Sequence, residues 1–215
     1  MSTSSRHPMV WIALSSLLLV GALVVSEAGE PQEIIRRTIT DVLAILADEQ
    51  LKAPERCEER REKMRQVVFR YFGFEEMARR ALGRHWRKLT PTQQQKFVPL
   101  FGTLLERSYI SKIEGYGGKA QNIRYLKEKI SQGRAQVRTE IPRQRDLDVE
   151  VEYRLLQRQH NWTVYDIVIE GVSLVSNYRT QFNKIIRQDS YVALEKKLKL
   201  KLEQQESTRC PKQGS

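Results

Sequence analysis

The sequence predicts an α+β fold: a four-stranded antiparallel sheet with helices packed on one face, enclosing an apolar pocket between the layers. Three observations carry that expectation. Apolar residues recur at helical spacing through the first half of the chain and again after residue 177, whereas between 121 and 170 they alternate with period two. The breaks inside the alternating region are short, which suits antiparallel hairpins rather than parallel crossovers. The last strand is mostly apolar on both sides and runs into Val172, Leu174 and Val175, a stretch too apolar for an ordinary loop in water.

In chain order, Ile34, Ile35, Ile39, Val42, Leu43 and Leu46 define an amphipathic helix over 31–48. Pro54 suits the first turn of the next helix, which turns Met64, Val67, Val68 and Tyr71 inward over 55–71. Phe72-Gly73-Phe74 interrupts the pattern, and 75–82 reads as a short helix stopped by Gly83. Thr90 and Gln93 form a capping box with Pro91 at the first helical position. They open a helix to about residue 113 that carries Phe97, Phe101, Leu104, Leu105 and Tyr109 on one side. Strands follow at 121–130, 135–141, 147–156 and 162–170. In the third, Val149, Val151, Tyr153 and Leu155 share a face. In the fourth, Trp162, Val164, Asp166 and Val168 face one way, opposite Thr163, Tyr165, Ile167 and Ile169. Asn177 is the expected N-cap of a helix to 188. Tyr191, Leu194, Leu198 and Leu202 mark a last helix over 190–205, before a polar tail at 207–215.

Arg6 and His7 precede a nearly continuous apolar run over 10–25, and Ser26 and Ala28 supply small residues at a cleavage site before Gly29. Residues 1–28 therefore read as a secretory signal peptide and 29–206 as one exported domain. The alternative is an uncleaved anchor, since the run approaches the roughly 17 residues needed to span a bilayer. Cleavage removes one cation (Arg6) and one carboxylate (Glu27), so the net charge of +11 is kept. Export argues against nucleic acid as the partner of such a basic chain. It leaves transient contact with an anionic membrane surface, where each cation contributes about 1 kcal/mol, or merely a well-solvated surface. Cys57 and Cys210 bracket nearly the whole domain; an exported compartment permits a disulfide, and the sequence leaves their pairing open. No Cys/His spacing suits a metal, and no resident cofactor is expected.

Catalytic constellations are thin. The mature histidines, His85 and His160, stand alone, and no nucleophile elbow, phosphate loop or zinc pattern occurs. Asp166 beside Tyr165 is a candidate base, which keeps open a small-molecule enzyme of cone-shaped α+β architecture. The plainer role is a buried aspartate paired with Arg179 or capping nearby backbone N–H groups, because an unpaired buried carboxylate is costly. The chain does offer surplus apolar surface on two facing layers: the aromatic side of the long helix, the valine-rich strands and the segment after Gly171. Such walls build an ordinary core or a lipid pocket.

Gly83, Trp86, Leu89, Thr90, Gln93 and Phe97, then Tyr109 and Tyr116, lead to Tyr165-Asp166, Glu170-Gly171-Val172-Ser173, Asn177-Tyr178-Arg179 and Phe182. This pattern resembles the MlaC (toluene-tolerance) family of periplasmic phospholipid carriers over 31–202; a hopanoid-associated branch is similar in pattern. The high charge and the two cysteines are not part of that pattern. The resemblance implies a non-enzymatic periplasmic shuttle, with phospholipid or a related lipid as cargo. Its implied partners are an inner-membrane ABC transporter complex bearing an MCE-domain subunit and an outer-membrane lipoprotein complex. It also implies a pocket that takes acyl tails while the headgroup faces water. The expected lining is Phe97, Phe101, Leu105 and Tyr109 from the long helix, Val149, Val151 and Tyr153 from the third strand, and Val164, Val168, Val172 and Val175 from the last segment.

Overall fold

The computed structural model describes residues 31–115, 122–142, 147–159, 161–205 and 210. The expected signal peptide, Tyr116, His160 and all of the 207–215 tail except Cys210 lie outside the described residues. The chain runs through α1 (Pro31–Ala47), α2 (Cys57–Tyr71), α3 (Phe74–Leu82) and α4 (Pro91–Gly115) into β1 (Arg124–Ser131), β2 (Arg134–Ile141), β3 (Val149–Arg158), β4 (Asn161–Ile169) and β5 (Val172–Ser173). It ends in α5 (Leu174–Gln188) and α6 (Tyr191–Gln204). Short 3-10 turns at Glu49–Lys52, Pro54–Arg56 and Gly83–Lys88 join the helices. The expected capping box opens α4: the Thr90 N–H donates to the Gln93 side chain at 2.9 Å, and the Gln93 N–H donates to the Thr90 hydroxyl at 3.2 Å.

The sheet order is β1-β2-β3-β4-β5, every neighbour antiparallel. The fold class is as expected, with one strand more. Glu170 and Gly171 both adopt positive φ (49° and 81°), the backbone of a tight two-residue hairpin. Val172 and Ser173 therefore fold back onto Ile169 and Val168 as β5 instead of forming a loop. This also moves the helix start. Ser173, not Asn177, caps α5, its hydroxyl accepting the Ser176 N–H at 3.0 Å.

A bulge corrects the faces of β4. Arg154 pairs with Asp166 and Leu155 with Val164, leaving Tyr165 as an extra residue. Strict alternation would put Val164 beside Asp166 and Val168; the extra residue instead groups it with the apolar cluster that contains Val151, Tyr153 and Leu155, against which Ile167 and Ile169 pack. The same cluster takes Ile35 from α1. On the polar face, the buried Glu152 accepts hydrogen bonds from Arg138 (3.0 Å) and Arg154 (2.8 Å). Beyond β5 the edge of β4 is covered at the α2–α3 junction, where the Gly73 N–H donates to the Val164 carbonyl at 2.9 Å.

A second core is wholly helical. Phe97 and Phe101 of α4 meet Phe182 and Tyr178 of α5 edge-on, at 5.8 and 5.4 Å respectively, and Phe97 also meets Tyr191 of α6. Leu46, Met64 and Ile110 form a small third cluster between α1, α2 and α4. The cysteines pair: Cys57 opens α2, and Cys210 is bound to it across 153 residues of sequence.

A bond closing so long a loop constrains the unfolded chain strongly. Cys210→Ser should lower stability by roughly 2–4 kcal/mol in urea titrations under oxidising conditions. A midpoint equal to wild type would show that the bond contributes nothing.

Candidate functional site

The apolar face of the sheet is longer than the helical core beside it. What α1, α2 and the second half of α4 leave uncovered is a cavity of about 360 Å³. Strand alternation places Val149, Val151 and Tyr153 of β3 on its wall, and the β4 bulge adds Ile167 and Ile169. Opposite them stand Met64 and Val68 of α2 and Leu105 and Tyr109 of α4, each pair spaced i, i+4 and therefore on one side of its helix. Gly102 presents no side chain to the wall. Phe69 and Phe74 stack at 4.4 Å, and a Cβ on Gly102 would lie 3.7 and 3.5 Å from them. Phe69 is 50% exposed, so the cavity reaches solvent beside it.

Five of the lining residues are charged: Arg61, Arg65, Glu106, Lys112 and Glu170. Two of the arginines tie α2 to α4. Arg65 binds both carboxylate oxygens of Glu106, at 2.6 and 2.9 Å, and Arg61 and Arg60 both bind Glu114, at 2.7 and 2.9 Å. Burial works against ionisation of Glu114, but the hydrogen bonds from Arg61 and Arg60 outweigh it and hold its carboxyl below the usual range. Burial, helped by Tyr178 nearby, pushes the Tyr109 phenol up, so the wall stays neutral at physiological pH.

Five of the residues expected to line a pocket come together on this wall: Leu105, Tyr109, Val149, Val151 and Tyr153. The others lie elsewhere. Phe97, Phe101 and Val175 are packed in the helical core, because the side of α4 that carries Phe97, Phe101, Leu104 and Ser108 faces α5 and α6, whereas the side that carries Gly102, Leu105 and Tyr109 faces the cavity. Val164 is fully buried in the sheet core, beside the α2–α3 junction. The bulge leaves Val168 off the wall, and Val172 sits on the edge strand at 57% exposure. Sequence reasoning missed the α2–α3 contribution of Phe69, Phe72, Phe74 and Met77. The signal was the Phe72-Gly73-Phe74 break, two aromatics where a helix stops.

Asp166 is only 4% exposed and is held at each oxygen: the Ser173 hydroxyl donates at 2.7 Å, the Val175 N–H at 3.1 Å and Arg154 at 3.3 Å. Its cationic partner is Arg154, not the expected Arg179, because the bulge sets Arg154 directly opposite. Arg179 instead lies against Gly83, where φ is +55° and a Cβ would come within 2.9 Å of the guanidinium. Asp166 lies outside the cavity. Among the described residues, no cluster of His, Cys, Asp and Glu could hold a metal ion.

An α+β fold that keeps an open apolar cavity defines a binding protein for ligands with apolar chains. The family model described as "MlaC protein" matches residues 36–200, and the chain belongs to that family. It is 21% identical over 173 residues to the intermembrane phospholipid transport system binding protein MlaC of Haemophilus influenzae, covering 78% of this chain and 81% of that protein. The structure of a phospholipid-binding protein from Ralstonia solanacearum, solved with a phospholipid, superposes with a TM-score of 0.71 at 25% identity, over 81% of this chain and 97% of that one.

The depressed Glu114 carboxyl links the margin to pH. A group whose carboxyl is lowered by folding contributes stability above its unfolded value and loses it in acid. Stability should therefore decline as pH falls below about 4.3. Glu114→Gln, which has already lost its share, should show a shallower decline between the same pH values. Parallel curves for the two proteins would remove Glu114 from the clamp.

Proposed function

We propose that this chain is a periplasmic phospholipid carrier that buries acyl tails in the cavity between its sheet and α2–α4 and performs no catalysis on its cargo. The open apolar cavity carries the reading. Family membership and the phospholipid-bound structural relative support it. Residues 1–28 act as the export signal and 29–206 as the carrier domain. Loading and unloading take place at an inner-membrane ABC transporter complex with an MCE-domain subunit and at an outer-membrane lipoprotein complex, with brief contact at the membrane surface. The word "intermembrane" in the relative's name supports that assignment.

The physical chemistry is that of a reversible carrier. Each methylene taken out of water contributes about 0.8 kcal/mol, and a similar amount is lost when the tail leaves a bilayer, so transfer between two apolar environments runs near balance. Leu105, Tyr109, Val149, Val151 and Tyr153 hold the tails, and the headgroup stays at the wet margin near Lys112 and Glu170. Asp166 fastens the fold.

Protein purified from bacteria should carry phospholipid, detected by native mass spectrometry and organic extraction. Val151→Glu should abolish that loading while leaving the circular-dichroism spectrum and melting cooperativity intact. Phe101→Glu, by contrast, should unfold the chain, since Phe101 is in the helical core. Wild-type protein that is empty, or Val151→Glu that loads normally, would overturn the reading.

A further inference from the structure

At the opposite end of α4 from the cavity is a second recess of about 700 Å³ between the 3-10 turn Gly83–Lys88, the start of α4, the end of α5 and the start of α6. Gln93 borders it and Tyr109 borders the cavity, about 24 Å apart at 1.5 Å per helical residue. The recess has cations on its walls, Arg84, Lys88 and Arg187, and apolar groups between them, including Leu89, Ile186 and the 66% exposed Val192. Among the described residues, none of these three cations has a carboxylate partner; the polar contact of Arg84 is the Asn183 side-chain oxygen at 3.4 Å.

The imbalance is written into the chain. From 83 to 105 the sequence has Arg84, Arg87, Lys88 and Lys96 and no carboxylate; from 171 to 188 it has Arg179, Lys184 and Arg187 and again no carboxylate. Several other cations are matched. Lys197 pairs with Asp189, Lys199 with Glu195, and Arg138 with Glu152. Burial, with Glu195 nearby, pushes the Tyr191 phenol up to about 12, so it adds no negative charge to the recess.

We infer that this recess is a docking site for an acidic, leucine-bearing segment of a partner protein. The occupant follows from charge complementarity and shape. The carboxylates that follow in sequence, Asp189 and Glu195, are each paired with a lysine of α6, so the seven cations keep an excess of positive charge that attracts an anion from a distance. A recess of about 700 Å³ with apolar groups between cations has room for side chains of a chain segment that alternates carboxylates with aliphatic groups. The inference goes beyond the carrier reading and does not depend on what the cavity holds.

The test uses the full mature chain and a fluorescent synthetic peptide alternating glutamate and leucine, followed by anisotropy at physiological salt. Amide chemical-shift mapping on the wild-type protein locates the site without any substitution. The peptide should bind and shift resonances of 84–89 and 186–192. The triple variant Arg84→Glu, Lys88→Glu, Arg187→Glu should weaken binding by roughly tenfold or more. A control reversal at Lys127 and Lys129 on β1 should leave binding unchanged, and co-purified lipid should be the same in all three proteins. Shifts confined to other surfaces, or equal weakening in the control, would overturn the inference. So would failure of the peptide to bind while vesicles containing phosphatidylglycerol bind through the same three cations, which would make the recess a membrane contact. Lipid loading is read separately, so loss of docking and loss of cargo are distinguishable.

Discussion

The buried carboxylate of Asp166 is the constraint on which the two layers of this molecule depend. A carboxylate at that depth requires partners for both oxygens, and they come from three places: Arg154 across the sheet, the Ser173 hydroxyl on the returning edge strand, and the Val175 N–H in the first turn of α5. Meeting this requirement fixes where α5 begins and how it leaves the sheet. Since Val175, Tyr178 and Phe182 of α5 then complete the helical core with α3, α4 and α6, the Asp166 side chain joins the helical layer to β4, beside the Gly73 N–H bond to Val164 and the pairing of Arg158 on β3 with the buried Glu76 of α3. A buried hydrogen-bonded charge of this sort is also intolerant of displacement, because moving α5 would leave the carboxylate unpaired in a dry site.

That attachment explains why a cavity exists at all. The aromatic side chains of α4 that might have filled the space over the sheet are committed to α5 and α6. Leu104 is completely buried in the helical core, while Leu105, the next residue, faces the cavity. One helix thus serves two layers on adjacent sides. The remaining sheet face is roofed by α1, α2 and the far end of α4, with Gly102 supplying no side chain where they diverge. Burial within the helical layer stabilises the fold independently of the cavity, so the space can remain open without the molecule depending on its being filled.

Much of this was legible in the sequence. The period change gave the strands, the capping box gave the start of α4, and the shared face of Val149, Val151 and Tyr153 gave one wall of the cavity correctly. The rest failed for identifiable reasons. A bulge has no marker in a strand apolar on both faces, as 162–169 mostly is, so Val164 and Val168 were assigned to one face when they belong to different ones. The edge strand was hidden because a two-residue strand is too short to show alternation, and Asn177 looked like a cap only because Ser173 was read as loop. Helical spacing in α4 marked an apolar side but not which neighbour it meets, so Phe97 and Phe101 were indistinguishable from Leu105 and Tyr109. The Asp166 requirement was foreseen, but its cation was not, since Arg154 lies opposite only once the bulge is known.

The two roofs over the sheet differ in what it costs to move them. Separating α5 from α3 and α4 would expose Phe97, Phe101 and Phe182, and apolar surface regains nothing from water. At the cavity margin α2 is joined to α4 largely through Arg60, Arg61 and Arg65 with Glu106 and Glu114. When such pairs part, each charge recovers hydration that partly repays the lost attraction. For an equal separation, the α2–α4 seam is therefore the cheaper one to open, and it borders the cavity directly. Its apolar reinforcement includes the small cluster of Leu46, Met64 and Ile110, with Val42, Ile45 and Ile113 packed against it. The disulfide at Cys57 lies at the start of the same helix and ties its N-terminal end to Cys210. With α2 tethered there and its far end joined to β4 by the Gly73 hydrogen bond, the stretch bearing Arg60, Arg61 and Arg65 is the part of the helix that charge pairs hold to α4.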